Sequence, residues 1–220
     1  MRLQSAIFDM DGTLLDSMHM WRGMYAQVVR DMGKEPQPDF VEQVKPLTLR
    51  QAAAYCKEAH DLPLTVDEVI QRFEDRINTF YRTEVQAKPG LKEFLSLLKM
   101  EGVWMYVATA TDRPLAEAAL RHAGIYDYFR GIITVAEAGA GKESPEIFER
   151  AMRRLRSNKK DTVVFEDALH AIQTAKNAGF RVAAVYDPSA EEDQEEIRAI
   201  ADYYIRSFRE MFEENPLKGV

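Results

Sequence analysis

Cysteine is almost absent from this chain. Its 220 residues include one, Cys56, so no intrachain disulfide can form, which suits a reducing compartment. With no base or metal-ligand set beside it, Cys56 reads as a small buried hydrophobe rather than a nucleophile. Long apolar runs are missing too. No segment approaches the roughly 20 apolar residues of a membrane-spanning helix. The N-terminus runs from Met1 into Ala6-Ile7-Phe8-Asp9 with no long apolar stretch or cleavage-like site. A soluble, cytoplasmic protein without membrane partners is expected. Positive charge is in deficit: 29 Lys and Arg against 36 Asp and Glu leave a net charge of −7. That argues against a nucleic-acid partner, because phosphate backbones reward clustered cations. It does not exclude a small phosphorylated substrate, for which a few local cations suffice. Internal repeats and low-complexity tracts are also lacking.

What is present is an ordinary globular composition, 46% hydrophobic and 30% charged, in a chain long enough for one well-packed domain and a smaller one. Short runs rich in Val and Ile recur at Ala6–Phe8, Val103–Ala108, Ile132–Val135, Thr162–Phe165 and Val182–Val185. Such runs suit strands buried on both faces. Helical patterns follow most of them, with start signals at Asp112 before Arg113-Pro114, at Ser144 before Pro145, and in capping boxes pairing Ser189 with Glu192 and Ser207 with Glu210. Strand alternating with helix predicts a parallel sheet covered on both sides. Residues 16–86 break the rhythm. They hold no strand run, but helical patterns at Met18–Met32, Leu49–Ala59 and Val66–Tyr81, the last opened by a Thr65/Glu68 capping box. Loop signals flank them at Pro36-Gln37-Pro38, Leu62-Pro63 and Lys88-Pro89-Gly90. The expected organisation is a core of residues 1–15 and 87–220 with a helical insertion at 16–86.

The first strand run ends in Asp9-Met10-Asp11-Gly12-Thr13. Carboxylates at i and i+2 of an extended segment project to one side, and Gly12 lets the backbone turn sharply. Read blandly, the two aspartates only cap a turn. Further along, Thr109-Ala110-Thr111 ends the second run, Gly139-Ala140-Gly141-Lys142 follows the third, and Glu166-Asp167 ends the fourth. Each alone has a local reading: a satisfied hydroxyl, a solvated lysine, a helix cap. Together they all fall just beyond the carboxyl ends of predicted strands, the edge where open α/β sheets bind ligands.

Asp9-x-Asp11-Gly12-Thr13, Thr109, Lys142 and Glu166-Asp167 resemble the four motifs of the haloacid dehalogenase superfamily, and the match spans the whole chain. The insertion at 16–86 resembles the helical cap of the β-phosphoglucomutase-like branch. The resemblance implies a Rossmann-like α/β core plus this cap, and a Mg²⁺-dependent phosphatase acting on a small phosphorylated metabolite, with a monomer expected. It implies Asp9 as nucleophile and Asp11 as acid and base. Thr109, the Ala110 amide and Lys142 would bind the phosphate. The cation would be held by Asp9, the Asp11 carbonyl, Asp167 and Glu166, the last directly or through water. Two departures stand out: Lys142-Glu143-Ser144-Pro145 delays the proline that commonly follows the lysine, and Ala168 stands where serine commonly follows the aspartate. In the insertion, Trp21, Lys45 and Arg50 are candidate substrate contacts, with core packing for Trp21 and plain solvation for the two cations as alternatives. Two other activities fit the resemblance. One is a phosphosugar mutase, whose cap histidine aligns by ungapped count with Trp21; the other is a binding protein on the same fold. His19, His60, His122 and His170 show no ligand spacing. The acidic run from Glu191 to Glu196 reads as a solvated helix face.

Overall fold

The computed structural model describes residues 3–44 and 47–213. The chain divides into two compact units, Met1–Asp16 with Val85–Val220, and Ser17–Glu84.

The first unit is built on a sheet of six strands: β1 (Ser5–Phe8), β4 (Trp104–Thr109), β5 (Ile132–Thr134), β6 (Thr162–Glu166), β7 (Arg181–Val185) and β8 (Tyr203–Ile205). The short strands β2 (Leu15–Asp16) and β3 (Gln86–Ala87) pair antiparallel as a separate two-stranded sheet. The sheet order is β5-β4-β1-β6-β7-β8, and every pairing is parallel. The carboxyl ends of all six strands therefore share one edge. Winding runs outward from β1 through β4 to β5, then restarts at β6 and proceeds the other way through β7 to β8, so the order reverses between β1 and β6. That reversal opens the crevice in which such sheets bind ligands.

Burial on both faces explains the continuous apolar runs. Ile7, Val164, Val182 and Ala108 pack with Ile147, Phe148, Ala171, Ile172 and Ile197 from the helices Glu146–Arg154, Leu169–Asn177 and Gln194–Ile200. Alternate residues face the other way: Phe8 stacks on Phe165 at 4.3 Å between ring centroids, and Phe165 meets Phe94 of the helix Leu91–Met100 at 5.7 Å. Period-two alternation thus sends each strand's side chains into two separate cores.

The second unit contains the helices Met18–Asp31, Phe40–Val44, Leu49–Ala59 and Val66–Thr83. Thr65 and Glu68 form the expected capping box: the Thr65 side chain accepts from the Glu68 amide at 3.2 Å, and Glu68 accepts from the Thr65 amide at 2.7 Å. An unforeseen box, Thr48 with Gln51, opens Leu49–Ala59. Val69, Phe73, Ile77 and Phe80 recur every three or four residues and form the buried stripe of Val66–Thr83. Cys56 is buried, which pushes its thiol up to about 11 and leaves it an inert packing group.

Several expected helix starts are corrected. Ser189 does not cap a helix; Asp187 does, accepting from the Ser189 amide at 2.8 Å, and a 3-10 turn over Pro188–Asp193 precedes the α-helix. Ser207 accepts from the Arg209 amide at 3.3 Å rather than closing a box with Glu210. Asp112 sits at the N-cap without a side-chain cap bond, and the helix after Ser144 begins at Glu146, with Pro145 as its N-cap. The third strand stops at Thr134, because Thr134 and Glu137 form a capping box that turns Val135 into helix.

Candidate active site

β1 delivers Asp9 to the reversal point of the sheet. Its amide donates to the Phe165 carbonyl at 2.9 Å, so Asp9 continues the pairing of β1 with β6 and comes level with Glu166. The chain then folds back at once. The amides of Leu14 and Leu15 both donate to the Met10 carbonyl at 2.9 Å, and Gly12 takes a left-handed φ of 84°. Glycine is required there twice over. Left-handed backbone strains any side chain, and a Cβ on Gly12 would run into the Asp167 carboxylate.

Asp9, Glu166 and Asp167 are buried, and each offers a carboxylate oxygen within 4.8 Å of the others. Lys142 joins them. It is no solvated lysine: 8% exposed, its ammonium contacts Asp9 Oδ1 and donates to Glu166 Oε1 at 2.5 Å. The second Glu166 oxygen accepts from the amides of Asp167 and Ala168 at 2.8 and 3.0 Å. Glu166 therefore anchors both the lysine and the turn. Its bond to the Ala168 amide also gives that helix start an acceptor at the position where alanine replaces serine. Thr13 donates to Asp167 Oδ1 at 2.9 Å.

Three buried carboxylates against one ammonium leave two negative charges without a counter-charge. Burial, with the charges of Glu166 and Asp11 adding to it and Lys142 opposing, pushes the Asp9 carboxyl up to about 7. Burial, then Glu166 and Asp9, hold Asp167 well above the usual carboxylate range. Burial would lower Lys142, but Asp9 and Glu166 outweigh it and keep the ammonium charged. An all-oxygen cluster short of two positive charges fits a hard divalent cation such as Mg²⁺.

Thr109 ends β4 and is buried, and its hydroxyl oxygen accepts from the Thr111 amide at 3.0 Å. The next residue, Ala110, is exposed. The Asp11 carboxylate stands apart from the three converging acids and accepts from the Thr111 hydroxyl at 2.7 Å. Thr13 and Thr111 stand in the sequence motifs without a role of their own, since their bonds span 154 and 100 positions and leave no local mark.

Two of the candidates in the helical unit, Trp21 and Arg50, have partners within that unit. The Trp21 indole, 36% exposed, donates to the Tyr81 hydroxyl at 3.0 Å. Arg50 is solvent-exposed and pairs with Asp67 at 2.5 Å. Lys45 lies outside the described residues. Among the described residues, no His joins the acidic cluster.

The model of the haloacid dehalogenase-like hydrolases matches residues 6–185. The chain is 26% identical over 177 residues to a phosphorylated carbohydrates phosphatase of Thermotoga maritima, covering 80% of this chain and 82% of that protein. It is 30% identical over 182 residues to the bifunctional riboflavin kinase/FMN phosphatase of Arabidopsis thaliana, covering 81% of this chain but only 47% of that longer protein. The crystal structure of a β-phosphoglucomutase-like protein of Thermotoga maritima superposes with a TM-score of 0.85 at 26% identity, covering 99% of each chain.

Proposed function

This chain belongs to the haloacid dehalogenase-like hydrolases, and from that membership we propose that it is a Mg²⁺-dependent phosphatase that hydrolyses a small phosphomonoester through an aspartyl phosphate on Asp9. The observation that carries this is the convergence of Asp9, Glu166, Asp167 and Lys142 at one buried point. A sugar phosphate or a nucleotide-related ester is the substrate class, in keeping with the carbohydrate and FMN phosphatases among the relatives.

The chemical difficulty is charge. Asp9 must approach a phosphate dianion, and each unit repulsion at 4 Å costs about 4 kcal/mol at an effective dielectric near 20. Mg²⁺, held by Asp9, Asp167 and the Asp11 carbonyl, with Glu166 directly or through water, would supply two positive charges against the nucleophile and the phosphate oxygens. Lys142 supplies a third and is held in place by Glu166. Thr109, whose oxygen accepts from the Thr111 amide, can donate its own proton to a nonreacting phosphate oxygen, beside the Ala110 amide. Asp9 attacks phosphorus while Asp11, as the acid, gives its proton to the leaving oxygen and releases the alcohol. Asp11, now a carboxylate, takes a proton from water as that water attacks the phosphoaspartate. Inorganic phosphate departs, and Asp9 and protonated Asp11 are regenerated. The helical unit would act as the cap that selects the substrate.

The likeness to a β-phosphoglucomutase-like structure keeps a phosphosugar mutase as the second reading. Trp21 weighs against it, because an indole is a donor only and cannot serve as a base. Free phosphate release should exceed conversion to glucose 6-phosphate when β-glucose 1-phosphate is supplied with Mg²⁺. Asp9→Asn should abolish turnover of p-nitrophenyl phosphate. Full activity in that variant refutes the nucleophile. No activity of the wild type on a broad phosphate-ester panel points instead to a binding protein.

A further inference from the structure

Thr111 touches two functional groups at once. Its main-chain amide donates to Thr109 Oγ1 at 3.0 Å, and its hydroxyl donates to Asp11 Oδ2 at 2.7 Å. The first bond is made by backbone and survives any side chain except proline. The second depends on the hydroxyl alone. Thr111 lies just beyond the end of β4, while Asp11 belongs to the tight turn after β1, and β4 and β1 are adjacent strands. The bond therefore ties the aspartate, at the C-terminal edge, to the loop that carries the phosphate-binding Thr109.

We propose that Thr111 is a positioning residue that orients Asp11 for proton transfer to the leaving group. The idea rests on the reading of Asp11 as general acid given above. The Thr111 hydroxyl uses its proton to donate to Oδ2, so Oδ2 is engaged as an acceptor and Oδ1 is left to hold a proton. The transferable proton then sits on Oδ1. That proton moves to the ester oxygen as the P–O bond breaks and the Asp9–P bond forms, and Asp11 is left as a carboxylate. In the second half it takes one proton from the attacking water, so the proton count closes. Orientation matters because proton transfer needs heavy-atom approach within about 3 Å, and a carboxyl turning freely about its side-chain torsions samples that geometry rarely.

Leaving-group dependence separates this role from a structural one. p-Nitrophenolate departs with little help from an acid, whereas phenolate is far more basic and needs the proton. Thr111→Val keeps the shape and the amide bond to Thr109 and removes only the hydroxyl. With Mg²⁺ present, kcat on phenyl phosphate is expected to fall about 10- to 100-fold further than kcat on p-nitrophenyl phosphate, a part of the 10²–10⁴ that general acids contribute. KM should change similarly for both esters. Thr111→Ser, which retains the hydroxyl, is expected to restore the wild-type ratio. An equal loss on the two esters, or a Ser variant as impaired as the Val variant, overturns the proposal. Asp11→Asn serves as the control. If it lowers the ratio while Thr111→Val does not, Thr111 alone is wrong. If it leaves the ratio unchanged, the assignment of Asp11 has failed.

Discussion

At the scale of single residues, the candidate site rests on positions where chemistry leaves little choice. Gly12 is the clearest. Its φ of 84° and the nearby Asp167 carboxylate together exclude a side chain. Gly12→Ala is expected to cost about 1–3 kcal/mol of stability from backbone strain, measured by urea denaturation. It should also weaken the proposed Mg²⁺-dependent turnover, because Asp167 must move; a variant with unchanged stability and rate would show that the turn yields freely. The aspartates, Lys142 and the Glu166-Asp167 pair were legible in the sequence because charged residues at strand ends are unusual and fall in a recognisable order. The roles of Thr13 and Thr111 were not. A threonine that serves a carboxylate 100 or more positions away looks like any other threonine until the strands are aligned. The burial of Lys142 was likewise invisible, since nothing in Gly139-Ala140-Gly141-Lys142 separates a buried ammonium from a solvated one.

At the scale of elements, local pattern served best where the residues that decide the structure are close in sequence. The Thr65/Glu68 box and the stripe at Val69, Phe73 and Ile77 needed only neighbours to be read. Strand β8, with the sequence Tyr-Tyr-Ile, and the two-residue pair β2 and β3 were missed because each is too short to carry an apolar run. They exist through pairing with a partner strand. The same applies to Lys88. At the return into the core, its ammonium donates to the Tyr186 carbonyl at 2.7 Å and to Asp187 Oδ2 at 2.9 Å, beyond the end of β7. Burial would raise the Asp187 carboxyl, but bonds from Ser189 and Lys88 outweigh it and hold the group below its ordinary value. A depressed carboxyl stabilises the fold above its unfolded pKa and loses that contribution as pH falls through the folded one. Asp187→Asn is accordingly expected to destabilise the protein at neutral pH by about 3 kcal/mol, the usual cost of stranding one partner of a buried pair. The deficit should shrink below about pH 4. Denaturant titrations of both proteins at pH 7 and pH 3.5 test this, and an equal deficit at both values would show that the charge is unimportant.

At the scale of the whole molecule, the carboxylates of the candidate site also oppose folding, because Lys142 alone does not balance their charge. Asp9 is raised to about 7 and Asp167 is raised as well, so between about pH 4 and 7 the native state binds more protons than the unfolded chain. The sign follows directly: with a chelator present, this contribution makes stability fall as pH rises through that window. On the proposed reading Mg²⁺ binds the native state and competes with those protons, so the rise in Tm on adding it should be small near pH 5 and grow towards pH 7.5. Thermal denaturation with Mg²⁺ or chelator across that range provides the measurement. A Tm increment independent of pH would mean that the ion binds elsewhere. The sequence by itself determined the fold class and the charged residues at the strand ends, because hydrophobic period, turn chemistry and residue type are local properties. Only the tertiary structure decided that Asp9, Lys142, Glu166 and Asp167 meet, that Glu166 holds the lysine, and that Thr111 reaches Asp11. Those facts depend on strand order and register, which long-range packing sets.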